Sequence, residues 1–149
     1  MIIESLKSLY TRDLNKLKLE IESYQNEENL WKIDKNILNS AGNLTLHLVG
    51  NLSHFFGAVL GNSGYIRQRD LEFSLKDIPR TELIEKIEGT LEAVTSTLDK
   101  LSAEDLEKNY PLEPFGHPMT TEYFMIHLIG HLEYHLGQIN YHRRLLDAE

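Results

Sequence analysis

Between residues 81 and 102 the chain reads TELIEKIEGTLEAVTSTLDKLS, and Ile84, Ile87, Leu91, Val94, Leu98 and Leu101 advance in alternating steps of three and four. That spacing returns each side chain to one face of an α-helix; it cannot line a strand, whose side chains repeat every second residue. Thr81 is the expected N-cap, and Glu82 and Glu85 fall in the first turn, where the helix dipole favours acids. Only solvating polar groups remain for the outer face, so this helix is expected to be structural.

The same period recurs three more times. In residues 2–24 it is carried by Ile2, Ile3, Leu6, Leu9, Tyr10, Leu14, Leu17, Ile21 and Tyr24, with charges between them. A second segment starts near Asn39 and Ser40, both good caps, and runs through LTLHLVGNLSHFFGAVL to the stop signal GNSG at 61–64. The last helix is capped by Thr120 or Thr121 and continues to about Leu146. Three connections separate these segments. In ENLWKIDKNILNSAGN, Trp31 and Ile33 are expected to pack over one end of the helices. YIRQRDLEFSLKDI, residues 65–78, is long for a simple turn, and long loops in compact domains tend to be functional. KNYPLEPFGHPMTT holds three prolines and a glycine and cannot continue a helix. With no repeat and no strand pattern, the expected fold is all-α, a four-helix bundle in one domain over residues 1–149.

Composition narrows the chemistry. The absence of cysteine removes thiol nucleophiles and thiolate metal sites and suits a reducing compartment. A net charge of −8 opposes binding to phosphate backbones. The start, MIIESLKSLYTRDL, interleaves charges with apolar residues, and no stretch approaches the roughly 20 apolar residues of a membrane span. A cytoplasmic protein that does not bind nucleic acid is expected.

Chemistry concentrates in HLIGHLEYHLGQINYH, residues 127–142, which holds four of the seven histidines. Taking His127 as zero on an ideal helix, His131 falls at about 40°, His135 at about 80° and His142 at about 60°. One sector therefore carries all four, overlapping the edge of the stripe formed by Phe124, Leu128, Leu132, Ile139 and Leu146, with His135 expected furthest inward. Histidines four apart rise by about 6 Å and can grip one ion, so both 127/131 and 131/135 qualify. A third ligand must come from elsewhere: His47 or His54 on the second segment, with His117 in the GHP turn a weaker candidate. Three imidazoles with an open position would suit a catalytic rather than a closed metal site. HLEYH is not the zincin motif, because Glu133 projects about 200° from His131. Gln138 and Asn51 are placed to orient a ligand imidazole or a water, unless they are simply satisfied polar residues at helix contacts. Without a metal, the imidazoles would pair by hydrogen bonds inside the helices.

NSAGNLTLHLVGNL at 39–52, RQRDLEF at 67–73 and HLEYHLGQINYHRR at 131–144 resemble, in order and separation, the DinB/YfiT-like superfamily. The resemblance implies a four-helix bundle of up-down-down-up course, often a homodimer, with a divalent ion on one histidine of H-L-x-G-N-L and two preceding G-Q-[IVL]. These are His47, His131 and His135, leaving His127 and His142 as pocket wall or as residues that support the ligands from behind. Relatives include transferases and isomerases using bacillithiol or mycothiol, and proteins described as metal-dependent hydrolases. A small-molecule substrate, a low-molecular-weight thiol, is thus implied, with zinc, nickel or iron as the metal. Arg67, Arg69 and Asp70 become candidate substrate-binding residues, the arginines for an anionic group; the plainer alternative pairs them with Asp70 or Glu72 on the surface. Asp70 or Glu72 would serve as a hydrolytic base only if the loop folded over the site. The competing expectation is a non-catalytic bundle that binds metal or a small molecule in a stress response.

Overall fold

The computed structural model describes residues 1–148. Its regular elements are α1 (Ile2–Ser23), a 3-10 turn (Glu27–Trp31), α2 (Ala41–Leu52), a π-helical turn (Ser53–Ala58), α3 (Arg69–Ser74), α4 (Arg80–Lys100), α5 (Ala103–Glu107) and α6 (Thr121–Leu146). The fold is all-helical; among the described residues the sole β feature is a bridge between Asn109 and Thr120. Among the described residues, no helix is long and apolar enough to cross a membrane.

Helix α1 packs on α4 and α6, and α2 packs on the same two helices and on α3. The core between them is aliphatic and aromatic: Leu6, Tyr10, Leu14 and Leu17 from α1, Leu83, Ile87, Val94 and Leu98 from α4, and Phe124, Leu128 and Leu132 from α6. Every residue of α2 except Val49 is buried, so polar side chains on this helix must find partners inside the protein. Ser40 caps it by accepting from Asn43 N (3.1 Å). Asn43 in turn donates to the Glu72 and Leu75 carbonyls (2.9 and 2.8 Å), which ties the 65–78 segment onto α2.

Several details depart from the sequence expectations. Helix α4 starts at Arg80 with Pro79 in the cap position, so Thr81 lies inside the first turn and caps nothing. The α-helical ladder of the second segment ends at Leu52 and gives way to the π turn, where Val59 N donates to His54 O (3.0 Å). The long loop contains α3. Residues 103–107 form α5, closed by a reciprocal capping box between Ser102 and Asp105. Trp31 lies over Gly42, whose missing side chain makes room for the indole, but Ile33 is 52% exposed and is not part of the core.

Hydrogen bonds at both ends of α6 set up the site. Tyr110 N donates to Met119 O (2.9 Å) and Thr121 N to Lys108 O (2.8 Å), pinching the proline-rich loop shut at its base. The Tyr110 hydroxyl then donates to Phe55 O in the π turn (2.6 Å), fixing that loop beside the end of α2. At the other end of α6, Asp147 accepts from Gln25 N (2.6 Å), Asn26 N (3.2 Å) and Asn29 Nδ2 (2.8 Å), locking the helix to the turn after α1.

Candidate metal centre

Three imidazoles converge where α2 faces α6. His47, His131 and His135 each offer a nitrogen, and these atoms lie within 4.8 Å of one another. The pair on α6 comes from i,i+4 spacing, with ring centroids 4.6 Å apart; His47 enters from α2 with centroids 5.0 and 5.2 Å from the other two. His54 is not part of the cluster; its ring packs edge-on to Phe55 at 4.8 Å. His117 is exposed, with Nδ1 3.1 Å from the Pro118 carbonyl.

Each ring has a distinct second partner. His47 Nδ1 lies 3.0 Å from Glu72 Oε1, so it donates to the carboxylate and turns Nε2 toward His131. Arg67 grips the same carboxylate in a bidentate pair, Nε to Oε2 at 2.9 Å and Nη2 to Oε1 at 3.0 Å. Burial pushes Glu72 up, but the hydrogen bonds from His47 and Arg67 and the arginine charge outweigh it, holding the carboxyl below its usual range. His135 Nδ1 donates to Gln138 Oε1 (2.7 Å), which frees its Nε2 as well. His131 Nδ1 is buried with no partner, as is Asn51 Oδ1, and both residues line the same cavity.

Protonation favours ligation. Burial, reinforced by His135, His47, His127 and Arg67, pushes His131 down to about 4. Burial also lowers His135, and His47 adds to this, although the bond to Gln138 opposes it. Both are therefore neutral at pH 7, the form that binds metal.

His47 Nε2 and His131 Nε2 are 3.1 Å apart. Two lone pairs cannot face each other at that distance without a proton or a cation between them. Two nitrogens bonded to one tetrahedral zinc at about 2.0–2.1 Å would stand about 3.3 Å apart, close to the observed spacing. The donor set, and the spacing of this pair within it, fit a divalent ion.

Two cavities touch the cluster. One, of about 300 Å³, is lined by His47, His131, Asn51, Arg67, Arg69 and His127 together with Phe55, Phe115 and Phe124. The other, of about 430 Å³, is lined by His135, Gln138 and His142 with Ile37, Leu38, Leu44 and Leu145. His127 is exposed and is a wall residue, its ring 4.7 Å from Phe115 and stacked parallel to Phe124 at 6.1 Å. Contrary to expectation, His142 and not His135 is the deepest imidazole of α6, only 3% exposed. It lies 2.7 Å from the Tyr24 hydroxyl through Nδ1 and 2.9 Å from Lys32 O through Nε2, so both nitrogens serve the fold. Asp70 is exposed and lines neither cavity.

Sequence reasoning treated Glu72 as a surface partner or a base and did not see it as the residue that orients His47. Its signal was RQRDLEF itself, which places an arginine five residues before an acid on a loop long enough to fold back. Gly50 was also missed: a Cβ there would overlap the Glu72 carboxylate, so only glycine lets that carboxylate lie against α2.

The fold is similar to that in the crystal structure of the conserved protein of locus from Enterococcus faecalis, with a TM-score of 0.79 and 14% identity over 96% of this chain and 95% of that one. At that identity the likeness speaks for the fold alone. No curated protein matches the chain. Residues 3–149 match the family described as "Protein of unknown function (DUF1572)", and the chain belongs to that family.

Proposed function

We propose that this protein is a metal-dependent enzyme that holds a divalent ion on His47, His131 and His135 and transfers a low-molecular-weight thiol, of the bacillithiol kind, to a small electrophile. The observation that carries this reading is the convergence of three imidazoles, one of them oriented by a buried carboxylate that is itself clamped by arginine. Carboxylate–histidine pairs of this kind fix the tautomer of a ligand ring and raise its basicity. A divalent ion held there would act as a Lewis acid and favour the thiolate form of a thiol.

The surrounding residues support a substrate that brings its own nucleophile. The chain has no cysteine. Glu72 is engaged by His47 and Arg67, and Asp70 points to solvent, so neither carboxylate is free to activate water, which disfavours hydrolysis. Arg69 is in reach of an anionic group on the thiol compound. In the transfer, the thiol proton passes to water, the sulfur forms a bond to carbon, and the carbon–halogen bond breaks with the electron pair leaving on halide. The same reading carries the DinB/YfiT-like up-down-down-up four-helix bundle, for which the packing of α1 and α2 on α4 and α6 is the support. It also carries a cytoplasmic homodimer, for which exposed Tyr123, Ile126 and Tyr134 on α6 offer a face.

The test is turnover. Zinc-, nickel- or iron-loaded protein, incubated with bacillithiol or glutathione and a chlorinated aromatic, is expected to yield the thioether and the metal-free protein none. Metal bound at the triad with no conjugate under any loading would leave a binding protein and overturn the catalytic reading.

A further inference from the structure

The two cavities beside the histidines share no lining residue, and only the smaller one is lined by arginine. We propose that they are separate subsites: the smaller one takes the anionic thiol cosubstrate and the larger one a neutral apolar electrophile, with the triad between them. This assignment rests on the thiol-transfer reading above and adds where each substrate sits.

The smaller cavity draws its positive charge from arginine, in a protein of net charge −8. Arg67 and Arg69 line it beside three imidazoles, and no carboxylate is in its wall. Arg67 is already paired with Glu72, and its guanidinium lies 5.8 Å over the Phe55 ring. Arg69 has no ion-pair partner among the described residues and sits 5.8 Å from the centre of the Phe73 ring. A free guanidinium at the rim of a pocket with aromatic walls is a recognition element for a carboxylate.

The larger cavity holds no Asp, Glu, Lys or Arg. Ile37, Leu38, Leu44 and Leu145 form its apolar wall, and Leu38 is 81% exposed at its edge. His142 offers no free nitrogen, since both are held by Tyr24 and Lys32. Asn36, Asn39, Gln138 and Tyr141 complete the lining as uncharged polar groups, so the volume of about 430 Å³ suits a small neutral molecule with a large apolar part. Its wall includes His135, whose ligating nitrogen lies within 4.8 Å of those of His47 and His131. A sulfur entering from the first cavity and a carbon entering from the second would meet at the histidines, the proximity that a two-substrate transfer requires.

The experiment is an NMR titration of zinc-loaded protein with two unreactive probes, S-methylglutathione for the anionic site and chlorobenzene for the apolar one. S-methylglutathione is expected to shift Phe115 and His127, chlorobenzene to shift Leu44 and Leu145, and saturation with one to leave the affinity for the other unchanged. Arg69→Gln should weaken only S-methylglutathione, by about tenfold, the loss of one charge-assisted contact. Leu38→Trp, which fills the exposed edge of the apolar cavity, should weaken only chlorobenzene. Competition between the probes, equal loss of both in either variant, or binding of neither overturns the assignment. Independent binding without turnover would sustain it while removing the transferase reading, and turnover with competing probes would do the reverse.

Discussion

Glu72 Oε1 lies 3.0 Å from His47 Nδ1, across the gap between the 65–78 segment and the most buried helix of the protein. The pair converts a loop into part of the site, because the carboxylate sets which nitrogen of His47 faces His131. Arg67 completes the arrangement by neutralising the carboxylate, without which a buried charge would be left uncompensated.

Replacing Glu72 by Gln should therefore lower zinc affinity by about 10–100-fold, the usual effect of losing a ligand's carboxylate partner. Competition against a chromogenic chelator measures it. Wild-type affinity in folded Glu72→Gln protein would show that His47 needs no such support.

Gly50→Ala makes a sharper case. Alanine favours a helix over glycine by about 1 kcal/mol, so α2 itself should gain. Its new Cβ would nonetheless displace the Glu72 carboxylate. The expected variant keeps full helicity by circular dichroism and binds metal more weakly than wild type; equal binding would mean that Glu72 can hold His47 from another position.

Asn51→Leu tests the unpartnered atoms. His131 Nδ1 and Asn51 Oδ1 are both buried without a partner beside one cavity, and they are complementary once His131 ligates through Nε2. Metal affinity should fall by about tenfold, as for other outer partners of ligands. Thermal stability of the metal-free protein should hold, because the substitution removes an unsatisfied acceptor.

Much of this architecture is legible in the residues themselves. Three-and-four spacing locates α1, α4 and α6 almost to the residue, and Ser40 and Thr120 cap as their side chains require. The i,i+4 pair on α6 follows from helix geometry alone. What periodicity cannot convey is tertiary: α3 is a six-residue helix held by Asn43 contacts to backbone carbonyls, and the π turn has no period of its own. His142 shows the limit most clearly. Its angle on the helix wheel places it with the ligands, yet the Tyr24 hydroxyl and the Lys32 carbonyl, both distant in sequence, make it part of the fold.

That role has a pH signature. Burial lowers His142, against the bond to Lys32 O and the Asp147 charge, while the Lys32 charge adds to the lowering. Below about 6.5 the unfolded chain takes up a proton that the folded imidazole still refuses. Stability of the metal-free protein should therefore fall as pH drops through that value towards the folded pKa. Urea denaturation at pH 7.5 and pH 5 should show a smaller loss for His142→Gln than for wild type. An identical loss in both would assign the acid sensitivity to other groups.

The central claim is that three particular histidines hold one divalent ion. Its most direct measurement is metal content, by inductively coupled plasma mass spectrometry, of untagged protein loaded with zinc and passed through a desalting column. One zinc per chain is expected for wild type and for His127→Ala, and close to none when His47, His131 and His135 are replaced together by alanine. Retention of zinc by the triple variant at the wild-type ratio, or failure of wild type to hold any, would contradict it.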